Sequence, residues 1–223
     1  MEYGGEEPKM SDKGLSGVEP DRSRMPGQGL TKEEAFLRML DGHWRYLENR
    51  RRQLAVTEAD RSLHSQGQYP FAAILGCADS RVSPEVIFDQ GQGDLFVVRV
   101  AGHVVGDFEV ASLEYAIENL GVKLIIVMGH EQCGAVKAAL AGGEVAGPIG
   151  RLLEEIRPAV GDARGQPGDF LGNAIRSHVV KSVEALLVKS QAIRRGVDDG
   201  RLRLIGLIYD LASGDLDIRT KVG

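Results

Sequence analysis

Two kinds of hydrophobic pattern alternate along the chain. Residues 70–76, 94–100, 123–129 and 203–209 are short runs, mostly apolar, of the length and composition of buried strands. The segments between them carry apolar residues at helical spacing. Helices are predicted over 84–88, over 108–120 (closed by Gly121), over 135–140, over 149–156 (ended before Pro158), and as one long helix over 173–195 with Ile175, Val179, Val183 and Leu186 on one stripe. A Gly-rich loop is expected over 161–172, and a last short strand over 216–219. Ahead of all these, Thr31-Lys32-Glu33-Glu34 reads as a capping box. Phe36, Leu37, Leu40, Trp44 and Leu47 follow it at helical spacing, so a helix is predicted from Thr31 to near Arg50. Its stripe must bury against the chain's own core or against another subunit. The fold class is therefore α/β: a mainly parallel sheet flanked by helices, with an N-terminal helical arm.

Composition changes this picture mainly at the N-terminus. Residues 1–30 are rich in Gly, Glu, Ser, Pro and Asp without periodicity and read as a disordered tail, leaving 31–223 as a single domain. The net charge of −5 gives no basic footprint, which argues against a nucleic-acid partner. No apolar run reaches the length of a membrane span, and the first residues lack the apolar core of a secretory signal, so a cytoplasmic protein is expected. The only cysteines are Cys77 and Cys133. In a reducing compartment they are free for metal binding rather than for a disulfide.

The candidate chemistry sits where strands end. Cys77 and Asp79 directly follow the 70–76 run, and Ser83-Pro84-Glu85 then opens a helix with an N-cap residue and a first-turn proline. His130 and Cys133 leave the 123–129 run in the same way. Open parallel sheets place ligands at this edge. If the two strands lie close together, two thiolates and an imidazole converge, a ligand set that suits zinc and leaves a fourth position open. Asp79 can accept a hydrogen bond from a water held there. Arg81 can grip Asp79 with paired charge-assisted bonds and offset its repulsion. In isolation such a pair would be read as a loop brace; beside a metal ligand it reads as the support such ligands need. His43, His64 and His178 read as packing or surface residues. His103 follows the 94–100 strand and either braces its loop or faces the cleft as a proton shuttle.

Cys77-Ala78-Asp79-Ser80-Arg81-Val82 together with His130-Glu131-Gln132-Cys133-Gly134 resembles the β-class carbonic anhydrases. The similarity continues through 93–99, 112–116 and 206–210. The resemblance implies one zinc ion per subunit on Cys77, His130 and Cys133, with Asp79 and Arg81 as a catalytic dyad. It implies reversible hydration of CO2 to bicarbonate and a proton by zinc-bound hydroxide. It implies a homodimer or a dimer of dimers, with the N-terminal helix crossing onto the partner. It places Gln68, Phe96, Tyr115 and the backbone amide of Gly134 around the substrate. Two departures stand out. Val100 and His103 replace two asparagines of the family pattern. Ile74 stands where the bicarbonate-inhibited branch has tryptophan, which implies an open site without a regulatory bicarbonate pocket. Hydrolysis of carbon disulfide or carbonyl sulfide on the same fold, or a catalytically silent zinc scaffold, are the competing readings. A thiol redox protein is disfavoured because the cysteines are not adjacent.

Overall fold

The computed structural model describes residues 29–52 and 55–223. The expectation of a disordered tail over 1–30 falls almost wholly outside the described residues. The sheet is built from β1 (Ala72–Cys77), β2 (Leu95–Val100), β3 (Leu124–His130), β4 (Arg203–Tyr209) and β5 (Leu216–Val222). Their order is β2-β1-β3-β4-β5. The first three pairings are parallel, and β5 closes the edge antiparallel to β4. The helices are α1 (Lys32–Leu47), α2 (Glu58–His64), α3 (Pro84–Ile87), α4 (Asp107–Glu118), α5 (Gly134–Ala141), α6 (Gly147–Ala163), α7 (Phe170–Lys189) and α8 (Gln191–Asp198). The α/β class with a mainly parallel sheet is as expected. No helix among the described residues is long and apolar enough to cross a membrane.

Alternation along the strands supplies two cores. Ala72, Ile74, Leu124, Ile126, Met128, Ile205 and Leu207 belong to one, packed with Ala35 and Met39 of α1 and with Phe88. Ala73, Leu75, Ile125, Val127 and Leu204 belong to the other, packed with α4, α7 and α8 through Leu113, Ala116, Val183, Leu186 and Ile193.

The capping box of α1 forms in both directions: Glu34 N–H donates to the Thr31 hydroxyl and Thr31 N–H to the Glu34 carboxylate. The helix stops at Leu47 rather than near Arg50, because Asn49 takes a left-handed conformation. Its inward face is not the predicted stripe. Ala35, Met39, Gly42 and His43 are buried, and a side chain on Gly42 would collide with the Phe88 carbonyl. Small residues let the helix lie flat on the core, and this turns Leu37 (64% exposed) and Trp44 (60% exposed) outward.

Other helices differ from expectation as well. α6 continues through Pro158 to Ala163. The missing N–H orphans a carbonyl one turn back, at Glu154. Pro158 and Glu154 both lie on the exposed side, where water can satisfy that carbonyl, while Leu153, Ile156, Ala159, Val160 and Ala163 bury beneath. The Gly-rich loop is correspondingly shorter than 161–172. The long helix over 173–195 is instead two helices. At buried Ser190 the backbone is extended; its hydroxyl accepts from Ile193 N–H (3.0 Å) and donates to Glu114 (2.6 Å), so it caps α8 and ties it to α4. α2, unforeseen, rests on a second capping box, Thr57 with Asp60, and buries no residue of its own.

Candidate active site

The chain leaves β1 for β2 on one side and returns to β3 on the other, so β1 and β3 are neighbours whose exit loops diverge, the usual place for a ligand site. Gly76 pairs with Met128, which brings Cys77 level with the end of β3. Beyond His130, Gln132 adopts φ 56°, a left-handed turn that returns the chain so that Cys133 becomes the N-cap of α5. The ligand atoms of Cys77, His130 and Cys133 all lie within 4.8 Å of one another, and all three residues are buried. His130 Nδ1 lies 2.8 Å from the Glu131 carbonyl and donates to it, leaving a lone pair on Nε2 in the neutral ring. That Nε2 is buried without a hydrogen-bond partner. An imidazole lone pair buried beside two sulfurs is a donor set that fits a metal cation.

The sulfurs are electrostatically unequal. Cys77 is pulled down to about 4, first by its hydrogen bond with Cys133 and, against the cost of burial, by His130 and by the amides of Asp79 and Gly102. Those amides lie 3.4 and 3.2 Å from Cys77 Sγ. Cys133 is pushed up by the same sulfur contact and by burial, despite the Ala135 and Val136 amides of the first turn of α5. Two adjacent thiolates repel, so only one forms readily until a cation joins them.

Asp79 stands at the rim, its Oδ2 3.9 Å from His130 Nε2. Arg81 donates through Nε to Oδ1 (2.9 Å), through Nη2 to Oδ2 (2.7 Å) and through its backbone N–H to Oδ1 (3.0 Å). This grip, chiefly the side-chain bonds, holds the Asp79 carboxyl well below the usual carboxylate range. Arg99, part of the 93–99 stretch of the resemblance but given no role there, donates from β2 to the Cys77 carbonyl (2.9 Å) and the Asp79 carbonyl (2.5 Å) and ties the loop down. The signal available for it was a lone cation in an apolar strand.

The carbonic anhydrase family profile matches residues 72–216. Carbonic anhydrase 2 of Mycobacterium tuberculosis is 38% identical over 193 residues, covering 85% of this chain and 93% of the relative. Among solved structures, the β-carbonic anhydrase of Coccomyxa in complex with acetazolamide superposes with a TM-score of 0.64 at 29% identity, covering 70% of this chain and 75% of that one. A tetrameric β-carbonic anhydrase of Sordaria macrospora gives 0.64 at 25% identity, covering 71% and 85%. The chain belongs to the β-carbonic anhydrases.

Measured against that family, the four substrate-pocket expectations divide. Gly134 opens α5 beside Cys133 and is exposed. Phe96 and Tyr115 meet each other, ring centroids 6.2 Å apart. Phe96 pairs with Ala73, about 13 Å along the strand from Cys77. Gln68 is exposed and precedes β1 at the end away from Cys77. His103 is fully buried and does not open onto the cleft, which removes the shuttle alternative. His178 is buried too, and its Nε2 lies 2.6 Å from the Gly102 carbonyl.

Proposed function

We propose that this β-carbonic anhydrase catalyses zinc-dependent, reversible hydration of CO2 to bicarbonate and a proton. The observation that carries this reading is the unpartnered His130 Nε2 facing Cys77 and Cys133, with a clamped carboxylate 3.9 Å away. Zinc bound there would acidify a water and supply the nucleophile, the role the metal has in carbonic anhydrases with three histidine ligands. Cys77, His130 and Cys133 are the ligands. Asp79 accepts a hydrogen bond at the open position and orients the attacking oxygen. Arg81 keeps the carboxylate aimed. Ile74 is buried in the core and offers no indole for a bicarbonate pocket, so the site is open at neutral pH. Free, buried Cys77 and Cys133 suit a reducing, cytoplasmic setting.

Stopped-flow CO2 hydration on zinc-loaded protein tests the activity. Fast hydration that rises with pH is expected. None at any pH, with zinc bound, would reject the reading and leave the sulfur gases or a silent scaffold.

Phe96 and Tyr115 stand together at the far end of β2 from Val100, Gln68 precedes β1 at the end away from Cys77, and Leu37 and Trp44 present bare apolar surface. A homodimer, or a dimer of dimers, resolves both: α1 docks on a second copy, and Gln68, Phe96 and Tyr115 complete its substrate pocket. Replacing Leu37 and Trp44 together by glutamate is expected to give monomers in sedimentation experiments and to lower CO2 hydration with them. A double variant that remains dimeric would refute the role of α1.

A further inference from the structure

The tight helical turn Ala101–His103 follows β2 directly over Cys77, because Cys77 pairs with Val100. Gly102 has φ 66°, and a side chain there would press on Ile156 (2.8 Å) and Ala135 (3.0 Å). Its N–H donates to Cys77 Sγ at 3.2 Å. Its carbonyl, on the opposite side, receives His178 Nε2 at 2.6 Å. Gly102 is thus gripped by a thiol on one side and an imidazole on the other. His178 projects from α7, an element that carries none of the proposed ligands. Its ring packs on His103, centroids 4.5 Å apart. His103 is fully buried with neither ring nitrogen bonded, and it holds a left-handed backbone, φ 43°. A residue with a side chain rarely adopts such a conformation, so the surrounding packing imposes it. Burial disfavours the charged form of His178, which leaves the neutral ring donating from Nε2.

We infer that His178 is a positioning residue for the metal thiolate: by holding the Gly102 carbonyl it aims the Gly102 N–H at Cys77 Sγ and sets how strongly that sulfur donates to the metal. His103 is the wall against which the His178 ring packs at a tilt. The chemistry is specific to a donor at position 178. Glycine has other backbone conformations open to it besides φ 66°, and the imidazole is what holds its carbonyl in place. When the N–H swings away, the sulfur loses a hydrogen bond and becomes a stronger, less well placed donor. Partners of this kind are worth about 10-fold to 100-fold in metal affinity.

This inference rests on the metal reading of the Cys77–His130–Cys133 cluster, and its test separates the two. Cobalt replaces zinc in the full-length protein, and the thiolate-to-cobalt charge-transfer band is recorded for wild type, His178→Phe, His178→Leu and His178→Gln. Phe and Leu fill space without donating; Gln can still reach a carbonyl with an amide N–H. The band is expected to move to longer wavelength in the Phe and Leu variants and to return toward wild type in the Gln variant. Zinc affinity by chelator competition is expected to fall about 10-fold in the first two only. Should the Phe and Leu variants not fold, wild type loaded with a magnetic cadmium isotope decides. The Gly102 amide proton should show coupling to cadmium through Cys77, and its absence overturns the proposal. An unchanged band and affinity in His178→Phe or His178→Leu overturn it equally. A wild type with no thiolate band at all would reject the metal reading itself, and the inference with it.

Discussion

Replacing Cys133 by alanine is expected to abolish metal binding and CO2 hydration together while leaving the fold in place. Cys133 is the N-cap of α5, but its side chain makes no capping bond, and alanine removes only the sulfur. The cluster would keep Cys77 and His130, too few to hold zinc in the four-coordinate geometry it prefers with one position open. The expected loss is the whole catalytic acceleration, on the order of 10⁶-fold. Elemental analysis after dialysis, stopped-flow hydration and circular dichroism check the three parts. A variant that retains equimolar zinc, or that hydrates CO2 at full speed without it, would remove Cys133 from the ligand set.

Asp79→Asn is expected to keep zinc and lose about 10²-fold in kcat, the scale of a misaligned reacting group. Metal retention follows from geometry: the Asp79 contact with Cys77 Sγ is made by the backbone N–H, which the substitution leaves alone. Arg81→Leu should be comparable in kind and smaller in size, because Arg99 still ties down the loop through two backbone carbonyls. The pH dependence distinguishes the causes. Arg81 lowers the Asp79 pKa, chiefly through its side-chain bonds, so removing it raises that pKa toward the ordinary value near 3.9. At pH 7 the carboxylate therefore stays ionised with or without Arg81. The loss in Arg81→Leu is one of orientation and should be the same at pH 7 and at pH 8. A loss that disappears as pH rises would mean that protonation of Asp79, not its aim, is what Arg81 prevents.

The strands were legible because their signal is local. A run such as Ile125-Ile126-Val127 has one conformation that buries it fully, and the loop residues that follow inherit their place at the strand end. The same reasoning failed where a tertiary contact outweighed a local rule. Pro158 ends helices in general, but here its orphaned carbonyl lies on the exposed side and the buried face runs on. Ser190 sits inside a continuous apolar pattern and reads as one more helical residue; its bond to Glu114 on α4 is what breaks the helix in two. The apolar stripe of α1 left open whether it meets the chain's own core or another subunit; close approach to the Phe88 carbonyl puts Gly42 on the inner face and leaves Leu37 and Trp44 outward.

For the site itself, sequence determined which groups stand at which strand ends: Cys77, Asp79 and Arg81 after one, His130 and Cys133 after another. These are properties of short segments, set by local burial and turn chemistry. Only the tertiary structure decided that β1 lies beside β3, that Arg99 and Gly102 reach back over Cys77, and that His178 on α7 closes on Gly102 from behind. It also decided that Phe96 and Tyr115 stand together well away from the cluster of their own chain. Those contacts join residues far apart in sequence. Their free energy depends on closing long loops and packing the whole core at once, and no local pattern carries that information.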